Sequence, residues 1–238
     1  MQAEGYEVTS VVVDVSKRES VTALAEKAAS LGEVRYLVHT AGINATQGPV
    51  TAILAVNLLG VALVTEEFGK VIAPDGAGIV ISSMAGSALP PFTAEQALAL
   101  ANTPADKLLD LPFAAPGNFP DSARAYAFSK RANQLRVQAA NVAWGAREAR
   151  INSISSGTIA TSAGRAELDG PHSSYIKAMI DASNAKRPGT AADIATAIEF
   201  LLSPSAWFIS GTDLLVDGGA LAALQTGHVK FAATSARS

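Results

Sequence analysis

The feature that most constrains this chain is its alternation of short apolar, β-branched runs with longer segments of helical periodicity. The apolar runs predict buried strands at residues 8–15, 34–40, 77–83, 150–155 and 213–216. The segments with apolar residues at helical spacing predict helices at 16–31, 51–72, 123–147 and 191–202. Parallel strands joined by helices bury both faces of a sheet. We therefore expect an α/β fold with a doubly wound parallel sheet in a single domain over 1–238.

Composition excludes several other classes of protein. Hydrophobic residues make up 49% of the 238 residues and charged residues 16%, which rules out intrinsic disorder as the main description. The net charge of −3 gives no basic excess for nucleic acid. No cysteine is present, so a disulfide scaffold and a thiol nucleophile are excluded. We expect no metal site, because His39, His172 and His228 lie far apart in sequence.

The apolar stretches do not predict a membrane protein. The first ten residues lack a basic region followed by an apolar region, so they do not resemble a secretory signal. The long uncharged stretch 36–65 contains Asn44, Gln47 and Asn57, which a helix facing lipid would avoid. We expect a cytoplasmic protein.

His39, near the end of the predicted strand 34–40, is expected to be a packed strand residue.

Signals at the first helix indicate where it begins and ends. Ser16 is placed to cap its N-terminus, with Glu19 as the reciprocal partner three residues later. Gly32 is placed to end it.

Residues 89–122 interrupt the alternation of strands and helices. They hold six of the chain's 11 prolines. Within this segment, 93–101 and 104–111 are expected to form short helices. Such an insertion lies on the surface and often shapes a binding cleft. The alternative is a solvated loop.

Polar residues at the end of the third predicted strand, and in the helix that precedes the fourth, suggest acid–base chemistry. Ser82 and Ser83 end the strand 77–83, and ligands bind beyond the carboxyl ends of parallel strands. Tyr126 and Lys130 are four residues apart, so they share one face of the next helix. A nearby ammonium favours the phenolate and lowers the pKa of a tyrosine. A serine hydroxyl could hold a carbonyl or alcohol oxygen beside that phenol, which suits proton transfer coupled to hydride transfer.

These motifs resemble those of the classical short-chain dehydrogenase/reductase family, over nearly the whole chain. SSMAG (82–86) resembles the family's serine motif and YAFSK (126–130) its YxxxK motif. The resemblance implies that Ser83 orients a carbonyl, Tyr126 is the acid/base, and Lys130 modulates its pKa and binds ribose. AVNLLG resembles the helix whose asparagine, here Asn57, anchors a water of the proton relay.

The same resemblance implies a Rossmann-like fold and a nicotinamide cofactor, NAD or NADP. HTAG (39–42) stands where the family has NNAG, and SGTIAT (156–161) resembles the segment along the nicotinamide, with Ser156 in place of the usual proline. The acid in VDV matches a residue that contacts adenine. The implied cofactor-binding residues are Asp14, Val15, Thr40, Ala41, Gly42, Tyr126, Lys130, Gly157, Ile159 and Thr161.

The long insertion narrows the resemblance to a subgroup. Ser83 and Tyr126 are 43 positions apart, much more than is usual in the family. This spacing and the sequence around it resemble those of the bacterial 3α-hydroxysteroid dehydrogenase/carbonyl reductase subgroup. The implied reaction moves a hydride between NAD(P) and a secondary alcohol or ketone, for example a hydroxysteroid or another carbonyl compound. The implied assembly is a homodimer or homotetramer.

One departure from the family concerns the start of the chain. No TGxxxGxG turn precedes the 8–15 run, so the phosphate cradle and the first βαβ portion are missing from this sequence. Either the sequence starts inside a longer gene, which we favour, or it is complete with an impaired cofactor site. The alternative function is a catalytically silent ligand-binding or structural subunit. Without the two central strands, we expect 8–15 to pair with 34–40, or residues 1–33 to be poorly ordered.

Overall fold

A four-stranded parallel sheet forms the centre of the computed structural model, which describes residues 5–170 and 173–229 apart from the side chains at positions 163 and 167. The strands follow one another in sequence order across the sheet. They are β1 (Val34–His39), β2 (Ile72–Ser83), β3 (Arg150–Ser156) and β4 (Asp213–Val216). His172 lies outside the described residues. The predicted α/β fold with a parallel sheet is confirmed.

Helices connect the strands and cover the sheet. The α-helices are α1 (Arg18–Leu31), α2 (Val50–Ile53), α3 (Gly60–Val71), α4 (Met84–Ala88), α5 (Ala94–Asn102), α6 (Ser122–Gly145), α7 (Ser162–Leu168), α8 (Ser173–Ala182), α9 (Ala191–Leu202) and α10 (Ala220–Gln225). A π-helical segment (Leu54–Leu59) joins α2 to α3. The 3₁₀ turns are Ala105–Asp110, Pro112–Ala114, Pro116–Asn118 and Pro204–Ala206.

The helix Val50–Val71 is apolar because it is a core element. By length and composition it could cross a membrane, but 61% of its most apolar window is buried inside the fold. It packs against α6, and the indole nitrogen of Trp144 on α6 donates a hydrogen bond to the Thr65 carbonyl at 3.1 Å. Trp144 is fully buried. A Cβ at Gly78 would lie 2.6 Å from the Trp144 ring and one at Gly69 2.9 Å from it, so both glycines are needed for this packing.

The predicted strand at 8–15 is wrong, because the structure leaves this segment outside the sheet. Val15 turns towards α3, where a Cβ at Gly60 would lie 3.2 Å from the Val15 carbonyl oxygen. Val12 is fully exposed and Val11 is 40% exposed, so this segment is not buried on both sides as a central strand would be. A strand needs a partner about 4.8 Å away, and the segment packs on a helix instead. The expectation of disorder over 1–33 is also wrong for α1, which is a regular helix.

The predicted cap at Ser16 is wrong for a local reason. The Ser16 hydroxyl donates to the Asp14 carboxylate at 2.6 Å, and the helix begins one residue later than predicted. Lys17 occupies the N-cap position and makes no side-chain cap hydrogen bond. The predicted end of the helix at Gly32 is confirmed, with φ at 149°.

The insertion 89–122 is packed against the domain. Its two predicted short helices are confirmed as α5 and the 3₁₀ turn Ala105–Asp110. Four of its side chains have no exposed surface, so the solvated-loop alternative is wrong: Leu100, Ala105, Leu108 and Ala114.

Candidate active site

Tyr126 and Lys130 lie on one face of α6, as their spacing predicts. The helix starts at the Asp121 N-cap, whose carboxylate accepts a hydrogen bond from the Arg124 backbone N–H at 2.8 Å. The Lys130 Nζ lies 5.6 Å from the centroid of the Tyr126 ring, which is within the range of a cation–π contact. Tyr126 is half-buried and Lys130 is buried. The ammonium is therefore close enough to favour negative charge on the phenol.

The Lys130 side chain has a partner that the sequence did not indicate. Its Nζ donates a hydrogen bond to the Ile81 carbonyl oxygen of β2 at 2.8 Å. The Ser82 hydroxyl donates to the Lys130 carbonyl at 2.7 Å, which ties α6 to the same strand. Burial lowers the pKa of Lys130 to about 8. A backbone acceptor has no sequence signature, so only the fold could reveal Ile81.

Ser83 stands at the junction of β2 and α4. It is buried, and its hydroxyl oxygen accepts a hydrogen bond from the Ala85 backbone N–H at 3.2 Å as the N-cap of α4. A hydroxyl has one donor and two acceptor sites, so this contact leaves the Ser83 O–H able to donate to a substrate oxygen.

Asn57 lies in the π-helical segment and supports the loop that follows β1. Its Nδ2 donates to the Ile43 carbonyl at 2.8 Å, and its Oδ1 accepts from the Ile43 N–H at 2.9 Å. A Cβ at Gly42 would lie 3.1 Å from the Asn57 Oδ1 and 3.8 Å from the Lys130 Nζ. The structure thus brings Gly42, Asn57 and Lys130 together, and π-helical segments often occur at functional sites.

The remaining loop residues lie at the same edge of the sheet, beyond the carboxyl ends of β1 and β3. Thr40 and Ala41 are exposed directly after β1, while Gly157 and Ile159 are half-buried after β3. The Thr161 hydroxyl oxygen accepts a hydrogen bond from the Gly164 N–H at 3.1 Å. The loop after β3 borders a cavity of about 250 Å³, whose lining includes Gly157, Thr158, Ile159, Arg187, Asp193 and Asp217.

Asp14 and Val15 have different neighbours from the residues around Tyr126. Asp14 is exposed, and hydrogen bonds from the Ser16 side chain and backbone lower the pKa of its carboxyl group. Its own backbone N–H donates to the Ser20 hydroxyl at 2.9 Å. Val15 is buried against Gly60. Their implied contact with an adenine remains a prediction.

The residues around Lys130 fit the nicotinamide and ribose part of a dinucleotide. Gly42 has no side chain to separate its backbone from Asn57 and Lys130, and the neighbouring Thr40 and Ala41 are exposed to an incoming ligand. The Lys130 ammonium has three donors, of which one is given to Ile81. Two donors therefore remain for hydroxyl groups of a sugar.

Two family models match the chain. One is described as "short chain dehydrogenase" and matches residues 1–95. The other is described as "Enoyl-(Acyl carrier protein) reductase" and matches residues 107–220.

Individual relatives match over most of their length. The chain is 40% identical over 225 residues to "Short-chain dehydrogenase/reductase bsc3" of Alternaria brassicicola, which covers 94% of this chain and 82% of that protein. It is 27% identical over 235 residues to the 3-alpha-hydroxysteroid dehydrogenase/carbonyl reductase of Comamonas testosteroni, covering 92% and 88%.

A solved structure gives a similar result. The 3-alpha-hydroxysteroid dehydrogenase from Pseudomonas sp. B-0831, complexed with NADH, superposes with a TM-score of 0.77 at 26% identity, covering 92% of this chain and 86% of that one. All three of these proteins are named as dehydrogenases or reductases, and nothing in the comparisons supports the catalytically silent alternative.

Proposed function

Because this chain belongs to the short-chain dehydrogenase/reductase family of NAD(P)-dependent oxidoreductases, we propose that it interconverts a secondary alcohol and the corresponding ketone. The observation that carries the proposal is the placement of Lys130 beside Tyr126, at the same sheet edge as Ser83. These groups can hold one substrate oxygen and move one proton to or from it.

The chain's own residues handle the proton and the oxygen. The positive charge of Lys130 favours the Tyr126 phenolate, which takes the hydroxyl proton when an alcohol is oxidised. The Ser83 O–H donates a hydrogen bond to the same substrate oxygen and fixes its position. In the opposite direction, the Tyr126 hydroxyl returns the proton to the carbonyl oxygen. A bound nicotinamide cofactor, NAD or NADP, accepts or supplies the hydride.

The proposed substrate class is a cyclic secondary alcohol or ketone, with hydroxysteroids as the first members to test. Two similar proteins carry 3-alpha-hydroxysteroid dehydrogenase in their names. The insertion also borders a cavity of about 270 Å³, whose lining includes Phe92, Phe113, Phe119, Arg124 and Phe128 but not Ser83, Tyr126 or Lys130. Aromatic walls suit an apolar ring system. We propose that this segment contributes to substrate selection.

We also propose a homodimer or homotetramer. Large apolar side chains are exposed at the C-terminal end of α9 and in the residues that follow it. Phe208 is fully exposed, Trp207 is 49% exposed and Phe200 46% exposed. A second copy of the chain could cover them. Light scattering on the wild type and on Phe208→Glu tests this, since the variant should lower the measured mass.

We propose a cytoplasmic location, because the apolar helix Val50–Val71 is mostly buried within the fold. Fractionation of cells that produce the protein tests it, and recovery with membranes would contradict it.

The central experiment compares Tyr126→Phe with the wild type in NADH- and NADPH-coupled assays on hydroxysteroids and smaller ketones. Loss of general acid/base catalysis should lower kcat by roughly 10²–10⁴-fold, while the free energy of unfolding stays nearly unchanged. Tyr36→Phe is the matched control, because Tyr36 is an exposed strand residue that should not affect kcat. More than half of the wild-type kcat in Tyr126→Phe would contradict the assigned role.

A further inference from the structure

Gln134 is a polar residue of α6 that the mechanism above does not use. It is half-buried and lies about one helical turn after Lys130. Its Nε2 lies 2.8 Å from the Ser87 hydroxyl oxygen of α4 and 2.9 Å from the Ser155 hydroxyl oxygen of β3. The same nitrogen lies 3.2 Å from a carboxylate oxygen of Asp213 on β4. One amide group therefore joins α6 to α4, β3 and β4.

The Asp213 carboxylate fixes the orientation of this amide. A carboxylate only accepts hydrogen bonds, so the nitrogen and not the oxygen of the Gln134 side chain faces it. The other Asp213 oxygen accepts a hydrogen bond from the Ser153 hydroxyl of β3 at 2.6 Å. The carboxylate that receives Gln134 is thus itself tied to the neighbouring strand, and the amide is anchored to the sheet.

The short helix α4 lies directly on α6. A Cβ at Gly86 would lie 2.6 Å from the Arg131 backbone nitrogen, so the glycine allows this close approach. The Arg131 Nη1 donates a hydrogen bond to the Gly86 carbonyl at 3.2 Å. Because α4 has only five residues, it depends on such contacts for its position. Ser87, the last residue but one of α4, receives the contact from Gln134.

The position of α4 affects the direction of the Ser83 hydroxyl. Ser83 is the N-cap of α4, and its hydroxyl oxygen accepts a hydrogen bond from the Ala85 N–H. A shift of α4 would move that N–H away from the hydroxyl. The Lys130 ammonium is held differently, by the Ile81 carbonyl of β2. Loss of the contacts of Gln134 should therefore disturb Ser83 and leave Lys130 in place.

We propose that Gln134 is a positioning residue for Ser83, on which it acts through Ser87 and α4. The hydrogen bond from Nε2 to Ser87 holds α4, while the contacts with Ser155 and Asp213 hold the amide on the sheet. The role rests on the proposed function, since Ser83 matters to catalysis by orienting the substrate oxygen.

The first experiment measures hydrogen exchange at the Ala85 amide by NMR, in the protein without cofactor or substrate. Gln134→Met keeps the length of the side chain and removes its donors, so the Ala85 amide should exchange roughly tenfold faster. Gln138→Met is the matched control, because Gln138 is an exposed glutamine one turn later on α6. Equal exchange of Ala85 in these two variants would overturn the proposal.

A second set of variants separates the hydrogen bonds from packing. Gln134→Glu places a carboxylate against that of Asp213, and the repulsion should speed the exchange of Ala85. Combining it with Asp213→Asn exchanges donor and acceptor across the same pair, and the hydroxyls of Ser87 and Ser155 can donate to the new carboxylate. The double variant should restore slow exchange. Exchange as fast as in Gln134→Glu alone would overturn the proposal.

Kinetics distinguish a positioning role from a purely structural one. With kcat expressed per folded protein, Gln134→Met should lower it roughly tenfold, and the double variant should recover most of it. The pH at which kcat rises should not move, because Lys130 keeps its partner Ile81. A kcat equal to that of Gln138→Met would overturn the positioning role. An inactive wild type would contradict the proposed function, whereas the exchange of Ala85 would still support the hold on Ser83.

Discussion

Asn57 and Ile43 form a reciprocal pair of hydrogen bonds, with the side-chain amide of Asn57 joined to both the N–H and the carbonyl of Ile43. The pair links the π-helical segment to the loop after β1, fourteen residues earlier in the chain. The resemblance implied that Asn57 anchors a water. The amide keeps one N–H and one lone pair beyond those bonded to Ile43, so both contacts are compatible.

Asn57→Leu should loosen the loop that contains Gly42. The substitution leaves both backbone groups of Ile43 without their partner, which should lower the free energy of unfolding by roughly 1–3 kcal/mol. Urea unfolding gives the stability, and hydrogen exchange gives the protection of the Ile43 amide. Asn102→Ala is the control, because Asn102 is exposed at the end of α5. Unchanged exchange at Ile43 would show that the loop does not depend on Asn57.

Lys130→Met should stabilise the protein at pH 7. Burial lowers the pKa of Lys130 in the folded state to about 8, whereas the unfolded chain keeps the usual value of 10.5. Between these values the unfolded chain binds more protons, so the contribution of Lys130 to stability rises with pH in this window. Below pH 8 Lys130 is charged in both the folded and the unfolded state. The burial of that charge then lowers the free energy of unfolding by its full amount, on the order of 3 kcal/mol for this shift.

The difference in unfolding free energy between Lys130→Met and the wild type should therefore shrink from pH 7 to pH 10. Chemical denaturation at four pH values measures it. Lys107→Met serves as the control, because Lys107 is exposed and should show little pH-dependent difference. If the gain in unfolding free energy in Lys130→Met did not change with pH, packing and not charge burial would be responsible for it.

Arg136→Met should detach the insertion from α6. The buried guanidinium donates to the carbonyls of Ala101 at 3.0 Å and Thr103 at 2.6 Å, and pairs with Glu66 at 2.9 Å. Removing one partner of such a buried network typically costs about 3–5 kcal/mol. Thermal and urea unfolding measure the loss, with the exposed Arg124→Met as control. A loss below 1 kcal/mol would show that the insertion is held by its apolar contacts alone.

Phe119→Ala should change substrate preference. Phe119 packs edge-on against Phe128, with ring centroids 5.0 Å apart, and both line the cavity of the insertion. We expect KM for bulky cyclic ketones to rise, with a smaller effect on small ketones and on cofactor affinity. Leu98→Ala, at an exposed position of α5, provides the comparison. Equal KM changes for bulky and small ketones would exclude a role in selection.

The sequence predicted those parts of the fold that depend on periodicity and local spacing. The four strands from residue 34 onward, the long α6 and the shared face of Tyr126 and Lys130 follow from such patterns. The strand prediction for 8–15 was wrong because a β-branched pattern does not specify whether a neighbouring strand or a helix will cover the segment. The cap prediction for Ser16 was wrong because Asp14, two residues away, accepts the hydrogen bond from the Ser16 hydroxyl.

The contacts that complete the site could not be predicted because their partners are backbone groups from distant segments. The carbonyl of Ile81 for Lys130 and the backbone of Ile43 for Asn57 carry no residue-type signal. His39 is buried at the end of β1, which confirms the expectation of a packed strand residue.

The packing of Trp144 against Gly69 and Gly78 gives the protein a built-in optical probe. The chain has two tryptophans, one fully buried between α6 and the sheet and the other, Trp207, half-exposed near β4. In a Trp207→Phe background, all indole emission comes from the C-terminal end of α6, the helix that carries Lys130 and Tyr126 nearer its N-terminus. A red shift of that emission then reports the opening of the contact between this end of α6 and the sheet, independently of any assay for activity.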